Sequence, residues 1–154
     1  AMVYAAPEVA TARTLMDVYK EKLARAGLVY EPTRCQDGRF TEQGGAAATE
    51  EILKLHPDTT ALFAGNDKMA LGALHHLNRL GVKVPGEVSL VGFDDLQQSG
   101  FVTPALTTVH LPLYEVGVQA CERLIERIRG KVERVAEILP AHLILRESTA
   151  LAAR

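Results

Sequence analysis

Apolar residues fill positions 1–6 almost without a break, then return at Ala12, Leu15, Met16, Tyr19, Leu23 and Ala26 before Gly27. The first pattern suits a strand buried on both faces; the second puts one apolar stripe on a helix. Val29 to Cys35 is read as a second strand despite Pro32, which cannot donate to a ladder, so it is expected at an edge. Thr41 is placed to cap an alanine-rich helix that must end before Pro57, whose ring disfavours a helical conformation at His56. The run Ala61–Ala64 predicts a third strand. Asn66 or Asp67 then caps a helix carrying Ala70, Ala73, Leu74, Leu77 and Leu80 on one face, closed by Gly81 in a left-handed conformation.

A fourth strand is expected at 88–93. Four strand-led units with apolar strands and short connections predict an α/β fold: a doubly wound parallel sheet with helices on both faces. The alternation stops there. A polar loop at 94–99, an extended stretch at 106–110, a helix opened by Pro112 and closed by Gly130, and a short strand at 143–145 complete the pattern.

Composition narrows the function classes. A chain of 154 residues is long enough for one compact core. The formal net charge of −2 and sequence pI near 6.2 provide no basic footprint for a phosphate backbone. Cys35 and Cys121 lie far apart and form no metal-ligand spacing, so they are read as reduced, mostly buried thiols, with no metal or other cofactor expected. No apolar run approaches the roughly 20 residues that span a bilayer, and the start has no signal-peptide pattern, so a soluble cytoplasmic protein without a membrane partner is expected. No serine elbow, Walker loop or dinucleotide glycine fingerprint occurs, and no enzymatic activity is expected.

In open parallel sheets ligands bind beyond the carboxyl ends of the strands. That rule selects the loop at 7–11 with Arg13 after the first strand, Asn66 and Asp67 after the third, and Asp94 and Asp95 after the fourth. A guanidinium, an amide and carboxylates suit a small polyhydroxylated molecule, whose hydroxyls both donate and accept. Phe40, after the second strand, can cover the apolar side of a sugar ring or a planar base. Each has a plainer reading. Asn66 can simply cap its helix, Asp94 and Asp95 can be a solvated pair, and Arg13 can be a surface charge.

The stretch from Ala64-Gly65-Asn66-Asp67-Lys68-Met69-Ala70-Leu71-Gly72-Ala73 to Gly81-Val82-Lys83-Val84-Pro85-Gly86-Glu87-Val88-Ser89-Leu90-Val91-Gly92-Phe93-Asp94-Asp95 resembles the hallmark region of the lactose-repressor (LacI/GalR) family. The likeness continues through Pro104-Ala105-Leu106-Thr107-Thr108-Val109, the helix opening Pro112-Leu113-Tyr114-Glu115-Val116-Gly117, and Leu145-Arg146-Glu147-Ser148-Thr149. It implies the effector-sensing part of a DNA-binding transcription regulator. By this resemblance 1–111 is the C-terminal effector-binding subdomain, 112–138 a crossover helix segment that packs on an N-terminal subdomain, and 139–154 a returning strand and tail. Arg13, Phe40, Asn66 and Asp94 are then effector-binding positions, and Leu71, His75 and Val102 belong to a homodimer surface. The effector is expected to be a sugar or related small molecule, and operator DNA is contacted only through a helix-turn-helix outside this chain. One departure stands out: the family commonly has Gln where this chain has Leu111. A sugar-binding protein of a periplasmic uptake system is the nearest alternative. The helix after Pro112 carries Leu113, Val116, Gly117, Ala120, Cys121, Leu124, Ile125 and Ile128 on one face, so self-association is expected.

Overall fold

The computed structural model describes residues 1–5, 8–131 and 136–151. Ala6 and Pro7, assigned from the sequence to the first strand and its loop, lie outside the described residues. So do positions 132–135 and 152–154 of the two C-terminal segments.

Four parallel strands form the sheet: β1 (Met2–Tyr4), β2 (Cys35–Asp37), β3 (Ala61–Ala64) and β4 (Ser89–Val91), in the order β2-β1-β3-β4. They alternate with α1 (Ala10–Arg25), α2 (Glu42–Leu55) and α3 (Asp67–Arg79). Strand residues divide between the faces with period two. Val3, Leu62, Ala64 and Leu90 pack under α2 and α3 against Ala48, Ile52, Met69, Ala73, Leu74 and Leu77, all buried. On the other face α1 contributes Tyr19 and Leu23 to a shallow trough of about 730 Å³ that also exposes Phe63 and Val91. No residue of α1 is fully buried, so this second layer is thin.

The predicted caps hold. Thr41 accepts from the Gly44 N–H at 3.0 Å, Asn66 accepts from the Met69 N–H at 2.8 Å, and Gly81 follows α3 at φ 75°. The helices α2 and α3 meet backbone against backbone. A Cβ at Gly45 would fall on the Met69 main chain and one at Gly72 on the Glu42 carbonyl, so both glycines are required by the close approach.

Three expectations need correction. The strand expected at 29–35 begins only at Cys35, because Pro32 with its fixed φ opens a 3₁₀ turn over Pro32–Arg34 instead. Its place at the sheet edge agrees with the sequence reading. The fourth strand, expected at 88–93, is shorter; beyond Val91 the chain pairs with the extended stretch, Gly92 N–H donating to Thr107 O and Asp94 N–H to Val109 O, both at 2.9 Å. Finally, Cys35 is a buried free thiol but Cys121 is exposed.

Cys121 is exposed because it lies on α4 (Leu113–Ile128), a helix with no buried residue, on which Leu113, Leu124, Ile125 and Ile128 stand open to solvent. The chain leaves for α4 along β5 (Thr108–His110) and returns along β6 (His142–Ile144), the two pairing antiparallel. No described helix is long and apolar enough to cross a membrane.

Candidate ligand-binding site

A cavity of about 520 Å³ opens at the carboxyl ends of β1, β3 and β4. Phe40, Asn66 and Asp94 line it together with Tyr4, Thr11, Leu15, Met69, Phe93 and Leu111. Three of the four predicted site residues therefore converge on one space, and the wall they share is mostly apolar.

Each is held by local geometry. Asn66 ends β3's turn in extended conformation and spends its side-chain oxygen on the Met69 N–H, which leaves the amide nitrogen as the group free to donate. Capping and ligand binding thus use opposite ends of one side chain. Phe40 has φ 57° and follows Arg39 at φ 52°. Two successive left-handed residues turn the chain sharply, and the turn is held by Arg39 N–H donating to Asp37 Oδ1 at 2.9 Å and Thr41 N–H donating to Gly38 O at 3.1 Å. Such a conformation costs about 1–2 kcal/mol in a residue with a Cβ. It sets a half-exposed phenyl ring at the cavity mouth.

Asp94 also lies in the left-handed half of conformational space, at φ 116°. Partial burial raises its carboxyl above the usual range, and the neighbouring charge of Asp67 raises it further. Arg13 behaves differently. It is exposed, and its Nη1 donates to the Glu8 carbonyl at 2.7 Å, while Thr11, Ala12 and Leu15 of the same helix face the cavity.

The sequence reading missed the supports behind these residues. Asp67 is fully buried and is a structural acceptor rather than a cleft carboxylate. Asp95 accepts from Arg146 Nη2 at 2.6 Å and lies 3.0 Å from His110 Nδ1. Burial would raise the Asp95 carboxyl, but the hydrogen bonds from Arg146 and His110 outweigh it and hold the group below the ordinary range. Arg146 lies 51 positions further along the chain, so nothing in local pattern signals this pair. For Asp67 a signal was available: an acid following an N-cap, with Ser99 and Thr108 as hydroxyl donors in stretches already read as loop and strand.

The predicted dimer residues share one side of the molecule. Leu71 is half-buried against the core, His75 is exposed one turn further along α3, and Val102 is half-buried in the loop beside that helix. Asn78 Nδ2 donates to Thr103 O at 3.5 Å, which marks where helix and loop adjoin. Phe101, in the same loop, is 82% exposed.

Residues 1–149 match the family model described as a periplasmic binding protein-like domain. The HTH-type transcriptional repressor CytR of Escherichia coli K12 is 37% identical over 132 residues, covering 85% of this chain and 39% of that protein. A solved transcriptional regulator CelR–cellobiose complex superposes with a TM-score of 0.90 at 35% identity, over 96% of this chain and 46% of that one. A lac repressor dimer bound to operator and an anti-inducer gives a TM-score of 0.88 at 27% identity, over 97% of this chain and 51% of that one. The chain thus spans about two-fifths of the curated relative and about half of each solved chain. It belongs to the periplasmic binding protein-like family, in the form carried by LacI-family transcriptional regulators.

Proposed function

We propose that this chain is the C-terminal part of the effector-sensing domain of a cytoplasmic DNA-binding regulator, and that it binds a sugar or related small molecule. The observation that carries the reading is the convergence of Phe40, Asn66 and Asp94 on one cavity at the carboxyl ends of parallel strands. The amide nitrogen of Asn66 donates to a ligand oxygen, Asp94 accepts from hydroxyls or N–H groups, and Phe40 covers an apolar ring face. Arg13 joins them by exchanging the Glu8 carbonyl for the ligand.

In this reading residues 1–111 are one subdomain, 112–138 cross to a second subdomain that covers the open face of α4, and 139–154 return. Leu71, His75 and Val102 belong to the contact between two copies, and operator DNA is held by a helix-turn-helix outside the chain. The CelR–cellobiose complex supports a carbohydrate effector, and the operator-bound lac repressor supports the dimer.

Calorimetry on the full-length regulator with cellobiose, ribose and adenosine tests the cleft. At least one of these binds, and Asp94→Ala weakens it by about 1.5–3 kcal/mol, the worth of a hydrogen bond to a charged group. Affinity unchanged by Asp94→Ala would remove this residue from the site.

A further inference from the structure

Asp67 opens α3 one residue after Asn66 and has no exposed surface. Its carboxylate accepts from the Leu96 N–H at 2.8 Å, the Ser99 hydroxyl at 2.6 Å and the Thr108 hydroxyl at 2.6 Å. Its own N–H donates to Phe93 O at 2.7 Å. Ser99 and Thr108 are themselves fully buried. The partners come from the loop after β4, from the 3₁₀ turn Gln97–Gly100, and from β5, the strand along which the chain leaves for α4. Gly92 makes room for this, since a Cβ there would collide with the Asp67 carboxylate.

A buried carboxylate needs several donors to offset its lost hydration, and an apolar residue would fill the same space more cheaply. What the carboxylate adds is a fixed arrangement of the three segments it joins. Asp94, with its left-handed backbone, lies between Phe93 and Leu96, which are both bonded to Asp67, and its N–H donates to Val109 O on β5 at 2.9 Å.

We propose that Asp67 is a positioning residue of the cleft: it fixes Asp94 against Asn66 and ties both to β5, so that a ligand on Asp94 is felt by the strand leading out of the subdomain. This rests on the cleft reading given above. Asp67 also keeps a negative charge behind Asp94, which after burial is the second influence raising that carboxyl. The remaining charged groups at this corner are otherwise engaged. His110 and Arg146 both bond Asp95, and Arg13 donates to the Glu8 carbonyl; Tyr4 faces the cavity from β1.

The first test uses the 154-residue chain and carboxyl-detected NMR. In Asp67→Asn one oxygen still accepts from Leu96 and Ser99, and the Thr108 hydroxyl turns to accept from the new amide N–H, so the charge is removed with little change of shape. Asp94 then titrates at lower pH than in the unsubstituted chain. Ser99→Ala and Thr108→Val each remove one donor, and the Asp94 and Leu96 amides exchange with solvent at least about tenfold faster; these two variants serve if Asp67→Asn does not fold. An unmoved Asp94 titration, or exchange unchanged in both hydroxyl variants, overturns the proposal. Calorimetry of full-length Thr108→Val with cellobiose, ribose and adenosine then reads function. Affinity falls at least about tenfold although Thr108 does not line the cavity. Unchanged affinity overturns the role of Asp67. If none of the three probes binds the unsubstituted regulator, the cleft reading fails, and the titration and exchange still decide the place of Asp67.

Discussion

Replacing Gly72 by Ala should separate α2 from α3. The added methyl falls on the Glu42 carbonyl, and the Ala46 backbone nitrogen lies only 3.0 Å from the same point. Both obstacles are backbone, so no rotamer change clears them, and one helix must move. Overpacking of a tight core costs about 1–3 kcal/mol, and a rigid obstacle places this case near 3. Alanine is about 1 kcal/mol better than glycine inside a helix, which offsets part of that. The net loss is about 2 kcal/mol, or roughly 4–8 °C in melting temperature for a domain of this size. Gly117→Ala is the control, because nothing lies within 4 Å of a Cβ there and only the helical gain in α4 remains. Urea titration followed by far-ultraviolet circular dichroism reads both variants. A midpoint for Gly72→Ala equal to or above that of the unsubstituted protein would refute the backbone contact.

Asn66→Asp keeps the cap, since Asp caps as well as Asn, and leaves stability within a few tenths of a kcal/mol; it removes the amide donor, so calorimetry shows weaker effector binding without a change in melting. Phe40→Gly relieves about 1–2 kcal/mol of left-handed strain but gives up about 0.5–1 kcal/mol of backbone entropy and the ring's partial packing, so thermal stability stays within about 1 kcal/mol while effector affinity falls. Asp95 is depressed in the fold, so its contribution is fully present above its unfolded value near 3.8 and is lost as pH falls through the lower folded value; Arg146→Ala removes that support and moves acid unfolding to higher pH. Asp94 has the opposite sign: its raised carboxyl costs stability when ionised, a cost relieved as pH falls through the folded value, so Asp94→Asn raises the urea midpoint at neutral pH while weakening effector binding.

The elements legible in the sequence are those whose pattern and punctuation agree. Thr41, Asn66 and Gly81 mark helix ends by local chemistry, and each was found where it was expected. At 29–35 the two signals conflict: Val29, Tyr30, Thr33 and Cys35 are compatible with a strand, the proline ring forbids its ladder, and the backbone restriction prevails. In the site, position at a strand end identified Asn66 and Asp94, whereas Asp67, one residue past the extended cap Asn66, turns inward to Leu96, Ser99 and Thr108, partners 29 to 41 positions away that no local window contains. The Asp95–Arg146 pair depends on a return of the chain from a distant stretch, which no local window contains. The exposure of Cys121 has the same cause, since the α4 face looks like core by periodicity and the sequence does not say what it packs on.

The strand β4 is finished by residues made long after it. Leu90 N–H donates to Ser148 O at 2.8 Å, Ser148 Oγ donates to Leu90 O at 2.6 Å across 58 positions, and the same hydroxyl accepts from Thr107 N–H at 2.8 Å. During synthesis Thr107 and Val109 are available early to pair with Gly92 and Asp94, but the edge at Leu90 stays unpaired while α4 and the returning stretch are being made. At about 5–20 residues per second that interval lasts several seconds, long compared with the formation of helices and hairpins. Until then the Leu90 N–H and carbonyl have no partner on this side, and an unpaired strand edge is a template for pairing with another chain. Ser148 closes this position with its backbone and hydroxyl together, so one late, buried residue satisfies both polar groups of Leu90 on that edge.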